Sequence, residues 1–230
     1  MIYNILLAIY NCVVKLSKPT LALFFLVIVF LGNSYASPKL QDKNINMKAE
    51  LSKIEYYLNG ITTFVADFTQ IAPNGEVSTG KLFLSRPNKL RWQYNPPTPI
   101  LIVVNGTNVA YYDYELDQLS HSSAEDNISN FLTRNYISLQ DDMKITKFDN
   151  KTGTTRIQLV KKDKAQEGSL TLTFDNSPLA LKKIEVEDST GQRTLISLFN
   201  QKSGMTLDNN LFRLKAPSRT RRGGAVSDME

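Results

Sequence analysis

The chain has 230 residues, with 27 basic and 22 acidic side chains and a net charge of +5, a balance too even to suggest a nucleic-acid partner. A single cysteine excludes a disulfide framework. One histidine beside that one cysteine leaves no Cys/His cluster for a metal or a nucleophile.

The first feature in chain order is an export leader. Lys15 and Lys18 precede an uncharged apolar run at residues 20–31, and Ser34, Tyr35 and Ala36 follow with small residues at both cleavage positions. A basic region, an apolar run and a small-x-small site make a secretory signal, and the run falls short of the roughly 20 residues of a spanning helix. Residues 1–36 are expected to be removed; the second apolar stretch, residues 2–14, keeps an uncleaved anchor as the alternative. Cys12 lies inside the leader and follows Asn11, not the small residue of a lipid-attachment site. The mature chain is thus expected to have no disulfide, no thiol nucleophile and no lipid anchor, and to be held together by its core. Without Lys15 and Lys18 its balance is 25 basic against 22 acidic residues. Residues 37–217 read as one domain, and residues 218–230, with Arg219, Arg221 and Arg222, as a basic tail.

Residues 38–47 are polar and read as loose. Leu51, Ile54, Leu58 and Ile61 then recur at helical spacing, with Asn59 and Gly60 as a stop in which glycine takes the left-handed position. From there the period changes to two. Phe64, Ala66 and Phe68 share a face; Asn74 and Gly75 signal a turn; Leu82, Leu84 and Arg86 share one strand face, and Leu90, Trp92 and Tyr94 the next. Residues 100–104 are a continuous apolar run whose hairpin partner is residues 109–114. A second helix is expected around Ile128, Phe131, Leu132 and Tyr136, capped by Ser122, Ser123 or Asp126. Alternation returns at Ile157 and Leu159, at Leu170, Leu172 and Phe174, and at Ile184 and Val186. Residues 188–191 turn the chain into a strand beginning at Leu195, Ser197 and Phe199, and residues 211–214 form a last short strand. Many strands on short turns make a mainly β (α+β) protein with one curved antiparallel sheet, able to curl into a barrel or part of one. Two helices are too few to cover it and suit the closing of one mouth.

Catalytic chemistry is not indicated. His121 stands alone in a polar stretch, Asp141 and Asp142 sit at a turn, and no nucleophile elbow or zinc motif occurs. Residues 75–82, GEVSTGKL, nearly match a phosphate loop, but Leu82 replaces the hydroxyl and a strand follows where the loop needs a helix. No enzymatic role, cofactor or metal is expected. Asn105, Asn127 and Asn150 begin glycosylation triplets of the kind that arise by chance.

The segments FVADFTQ, GKLFLSRPNKLRWQYNPP, IVVNG, YYDYELDQ, LTFD, IEVEDSTGQRT and NLFRLKAP, in this order over residues 47–217, resemble the LolA family of periplasmic lipoprotein carriers; RPNKLRW is the most specific piece. The resemblance implies an incomplete β-barrel with a small helical lid over an apolar cavity. It implies a monomeric carrier that binds lipoprotein acyl chains in the periplasm. An inner-membrane ABC-type releasing complex loads it, and the outer-membrane receptor lipoprotein LolB receives the cargo. Leu82, Leu84, Leu90, Trp92, Tyr94, Ile128, Phe131 and Leu132 are the expected lining. Arg86 is the lid-gating residue: the alternation puts a permanently charged group on the apolar face, where it needs partners, and the family's matching arginine bonds to lid backbone. A periplasmic lipid- or lipoprotein-sensing scaffold of the same fold is the alternative; a hydrolase and the receptor itself fit less well.

Overall fold

The computed structural model describes residues 38–123 and 128–214, with side chains from residue 46 onward except at 124–130. The leader and the basic tail lie outside the described residues. The chain divides into two units, residues 1–46 and 47–230. Of the first, the described part is the helical backbone of residues 38–46; the sheet and its core belong to the second.

Helix α1 (Pro38–Gly60) starts earlier than expected, since residues 38–47 are helical rather than loose. Pro38 suits a first turn, where its missing N–H is no loss, and residues 39–59 contain no glycine or proline to interrupt the ladder. Leu51, Ile54 and Leu58 are buried on one stripe, with Ile61 just beyond the helix end. Gly60 closes α1 without the left-handed conformation expected of it; the Ile61 N–H reaches back to the Leu58 carbonyl at 3.4 Å.

Eleven strands follow: β1 (Thr63–Ile71), β2 (Val77–Ser85), β3 (Lys89–Tyr94), β4 (Ile100–Asn105), β5 (Asn108–Asp113), β6 (Gln118–Ser123), β7 (Met143–Lys151), β8 (Thr154–Lys161), β9 (Gly168–Asn176), β10 (Leu179–Asp188) and β11 (Arg193–Ser203). They make one antiparallel sheet in the order β6-β5-β4-β3-β2-β1-β11-β10-β9-β8-β7. Two meanders, β1 to β6 and β7 to β11, are joined through the β1–β11 pair. The edges β6 and β7 do not pair with each other, so the barrel is incomplete. Bulges in β11, β10 and β7 bend the sheet where they interrupt the register. At the first of them Asn200, at φ 52°, donates to the Asp67 carboxylate at 2.8 Å.

One face of the sheet carries the core. Phe64, Ala66, Phe68, Leu82, Leu84, Leu90, Trp92, Ile157, Leu159, Leu172, Phe174 and Ile184 are buried there with the α1 stripe. On β11 the inward residues are Ile196 and Leu198, the opposite parity to Leu195, Ser197 and Phe199; Phe199 is exposed. Strand β7 was not anticipated. Its bulge between Ile145 and Lys147 breaks the alternation that would have signalled it.

Helix α2 (Ile128–Thr133) is six residues long. Ser122 and Ser123, expected as its caps, instead extend β6 by pairing with Val109 and Asn108. Every residue of β6 is exposed, so no apolar period marks it. Tyr136 is 65 % exposed and lies beyond the helix; Ile137 and Leu139 are the buried residues of that stretch. Residues 211–214, expected as a strand, contribute instead to a 3-10 turn (Asn209–Phe212) that buries Phe212 and is capped by the Asp208 carboxylate on the Asn210 N–H at 2.9 Å.

Candidate functional site

The turn from β2 to β3 brings a charge to the apolar face. Pro87 has no N–H to continue the ladder, and Asn88 takes the left-handed conformation, φ 61°, which its short polar side chain tolerates. The Asn88 N–H therefore points away from the sheet and donates to the Thr133 carbonyl of α2 at 2.8 Å. One step earlier, Arg86 donates from Nε to the Leu132 carbonyl at 2.8 Å and from a terminal nitrogen to the Leu58 carbonyl of α1. The last carbonyls of a helix have no partner within it and carry its negative end. The Arg-Pro-Asn turn thus satisfies the ends of both helices, and one guanidinium bridges them. Among the described residues Arg86 meets only carbonyl dipoles, and burial lowers its pKa to about 10, so it stays charged at neutral pH.

Beneath this bridge lies a small apolar cavity of about 20 Å³, room for about one water molecule. Leu82 and Leu84 of β2, Leu90 of β3, Leu132 of α2 and Arg86 line it, so five of the sequence-predicted residues meet there. Leu58, Ile61, Phe64, Leu181, Ile184 and Leu198 complete the wall. Leu58, Ile61, Phe64 and Ile184 were visible as periodic positions but carried no polar mark to single them out. Leu181 was hidden by the bulge beside it, and Leu198 by the parity of β11.

Trp92, Tyr94 and Phe131 are not in that wall. Trp92 and Tyr94 pack on Phe68, at centroid distances of 5.2 Å and 5.1 Å. The Tyr94 hydroxyl donates to Gln70 at 2.8 Å, and burial pushes its pKa up to about 12. Phe131 is buried with the guanidinium of Arg134 5.8 Å from its ring centre. The side chain of Ile128 lies outside those described. The indole N–H of Trp92 is buried and meets no acceptor among the described residues. An unmade hydrogen bond of this kind costs about 1–3 kcal/mol.

Three further contacts, none legible in the sequence, fix the segment after α2. Asn59 pairs with Ile137 through both amide groups, donating from Nδ2 to the carbonyl and accepting from the N–H, each at 2.8 Å. The Glu55 carboxylate accepts the Leu139 N–H at 2.7 Å. Arg134 holds Asp142 through both nitrogens, at 2.8 Å and 2.6 Å.

A family model described as outer membrane lipoprotein carrier protein LolA matches residues 59–215. The chain belongs to the LolA family. The match begins one residue after Leu58, whose carbonyl Arg86 holds, and contains both Arg86 and α2. An outer-membrane lipoprotein carrier protein of Methylococcus capsulatus is 31 % identical over 179 residues, 73 % of this chain and 84 % of that one. An uncharacterised protein of Rickettsia prowazekii is 29 % identical over 143 residues, 61 % of this chain and 65 % of that protein's length. A LolA superfamily protein of Nitrosomonas europaea, known from a crystal structure, aligns with a TM-score of 0.42 at 11 % identity over 71 % of this chain and 97 % of that one.

Proposed function

We propose that this LolA-family chain is a lipoprotein carrier whose acyl-chain site is the apolar interior between the sheet and α2, with Arg86 as its latch. The observation that carries the reading is the bridge itself. A charged side chain on an otherwise apolar wall ties that wall to the backbone of the short helix covering it. At about 20 Å³ the cavity is too small for an acyl chain, so loading requires α2 to lift and the Arg86 bonds to break.

The magnitudes make such a latch reversible. Two hydrogen bonds from a charged donor are worth about 3–6 kcal/mol together. Each methylene buried returns about 0.8 kcal/mol, so roughly four to eight methylenes offset the latch. A long acyl chain has enough to open it, and closure recovers a comparable amount on release. The reading is of carriage without catalysis, in the periplasm, by a monomer loaded from an inner-membrane ABC-type complex and unloaded onto the receptor LolB.

Recovery of the protein from the periplasmic fraction tests it. Its N-terminus is expected at Ser37, within a few residues, and mass spectrometry is expected to find lipid-modified N-terminal peptides bound to it. Recovery only from membranes at full length, or bound phospholipid with no lipopeptide, would overturn the reading.

A further inference from the structure

Trp92 holds the one buried side-chain nitrogen or oxygen without a hydrogen-bond partner among the described residues. The other polar groups of this interior are committed: Arg86 to the Leu132 and Leu58 carbonyls, and the Tyr94 hydroxyl to Gln70. The indole is also held in place, with Phe68 packed at 5.2 Å and 56° and Leu82 directly opposite on β2.

Its position along the sheet gives the orphan donor a meaning. Leu82, Trp92, Ile102, Tyr111 and Ser120 form one row across β2 to β6 on the inward face. Exposure rises along it, from 2 % at Leu82 and 5 % at Trp92, through half-buried Ile102, to 36 % at Tyr111 and exposed Ser120. On one side of Trp92 lie Leu82 and Leu90, which line the apolar cavity; on the other the row opens to solvent. Within that row Trp92 is the last buried residue before the β6 edge. A fatty acyl group has the same polarity profile: a methylene chain, then one carbonyl acceptor, then a polar head.

We infer that the Trp92 indole N–H donates to an ester carbonyl of the cargo's acyl groups, fixing the depth of the chains, with methylenes toward Leu82 and Leu90 and the glycerol end toward Ile102 and Tyr111. The inference rests on the reading of this interior as the acyl-chain site. It makes Trp92 a specificity residue that selects an acyl ester over an alkyl chain of the same length.

The test uses two soluble probes, a cysteinyl lipopeptide bearing a di-palmitoyl ester-linked glycerol and its di-hexadecyl ether isostere. Trp92 is the sole tryptophan of the chain, so the 15N-labelled mature protein shows one indole N–H signal. The ester probe is expected to move that signal downfield and slow its exchange, while the ether probe binds without the downfield shift. Affinity for the ester should exceed that for the ether by roughly three- to tenfold, the yield of one hydrogen bond. Trp92→Phe should bind both probes equally. Equal affinity of the wild type for the two, with the indole signal indifferent to the carbonyl, overturns the assignment but leaves the acyl site standing. Failure of the wild type to bind either probe removes the site and the assignment together. If Trp92→Phe does not fold, the wild-type shift and affinity ratio decide alone.

Discussion

Arg86 and Leu132 are joined by a hydrogen bond of 2.8 Å from a guanidinium Nε to a helix-end carbonyl. The residues are 46 apart in sequence, one at the end of β2 and one in the last turn of α2. The same guanidinium reaches the Leu58 carbonyl in the last turn of α1, so α2 cannot move off the sheet while both bonds remain.

Arg86→Leu removes the bridge and adds apolar surface to the cavity wall. The closed form is expected to lose about two to four powers of ten in relative population for the two bonds together. The variant should fold, accept lipoprotein and retain it. The check is transfer of a loaded lipoprotein to purified receptor over time. Normal transfer at unchanged cargo affinity would place Arg86 outside the gate.

Asn59→Ala leaves both backbone groups of Ile137 without their partner. Those two bonds, and a third from Asn59 Nδ2 to the Glu55 carbonyl at 2.8 Å, are lost at a half-buried site, at an expected cost of about 1–3 kcal/mol. Urea unfolding should show a lower midpoint at unchanged slope. An unchanged midpoint would mean that water replaces the amide fully.

Gly80→Ala tests the close approach of strands under the aromatic cluster. A methyl group there would sit 2.2 Å from the Gln93 carbonyl oxygen and 2.6 Å from the Phe68 ring. A backbone atom cannot step aside as a side-chain tip can, so a loss of about 1–3 kcal/mol is expected. Thermal unfolding should show it as a clear fall in Tm; wild-type stability would contradict the packing described.

The Arg134–Asp142 pair gives an acid signature. The hydrogen bonds from Arg134 hold the Asp142 carboxyl below its ordinary value. A depressed carboxylate stabilises the fold above its unfolded pKa, about 3.9, and that contribution is lost as pH falls through the lower folded value. The Asp142 side chain is 52 % exposed, so the effect is expected to stay under about 1 kcal/mol. Asp142→Asn should melt slightly below wild type at pH 7, and the difference should shrink as pH falls below the ordinary carboxylate range. A difference independent of pH would assign the effect to packing.

Local chemistry alone determined the elements that repeat. The stripe of Leu51, Ile54 and Leu58 and the alternation of Leu82, Leu84, Leu90 and Trp92 are read directly from spacing, because a buried face must recur at the period of its backbone. The same parity put Arg86 among leucines, which marked it as a residue needing partners. The sequence did not reveal what depends on chain segments meeting. Strand β6 has no apolar period, because every residue of it is exposed and its place comes from pairing with β5. The inward parity of β11 follows from its register with β1 and β10. Arg86's partners are backbone carbonyls, which any sequence would supply, so only the packing of α1 and α2 against the β2–β3 turn could name Leu58 and Leu132. The unmet N–H of Trp92 is likewise a tertiary fact, since a donor lacks an acceptor only once the fold has buried it away from water.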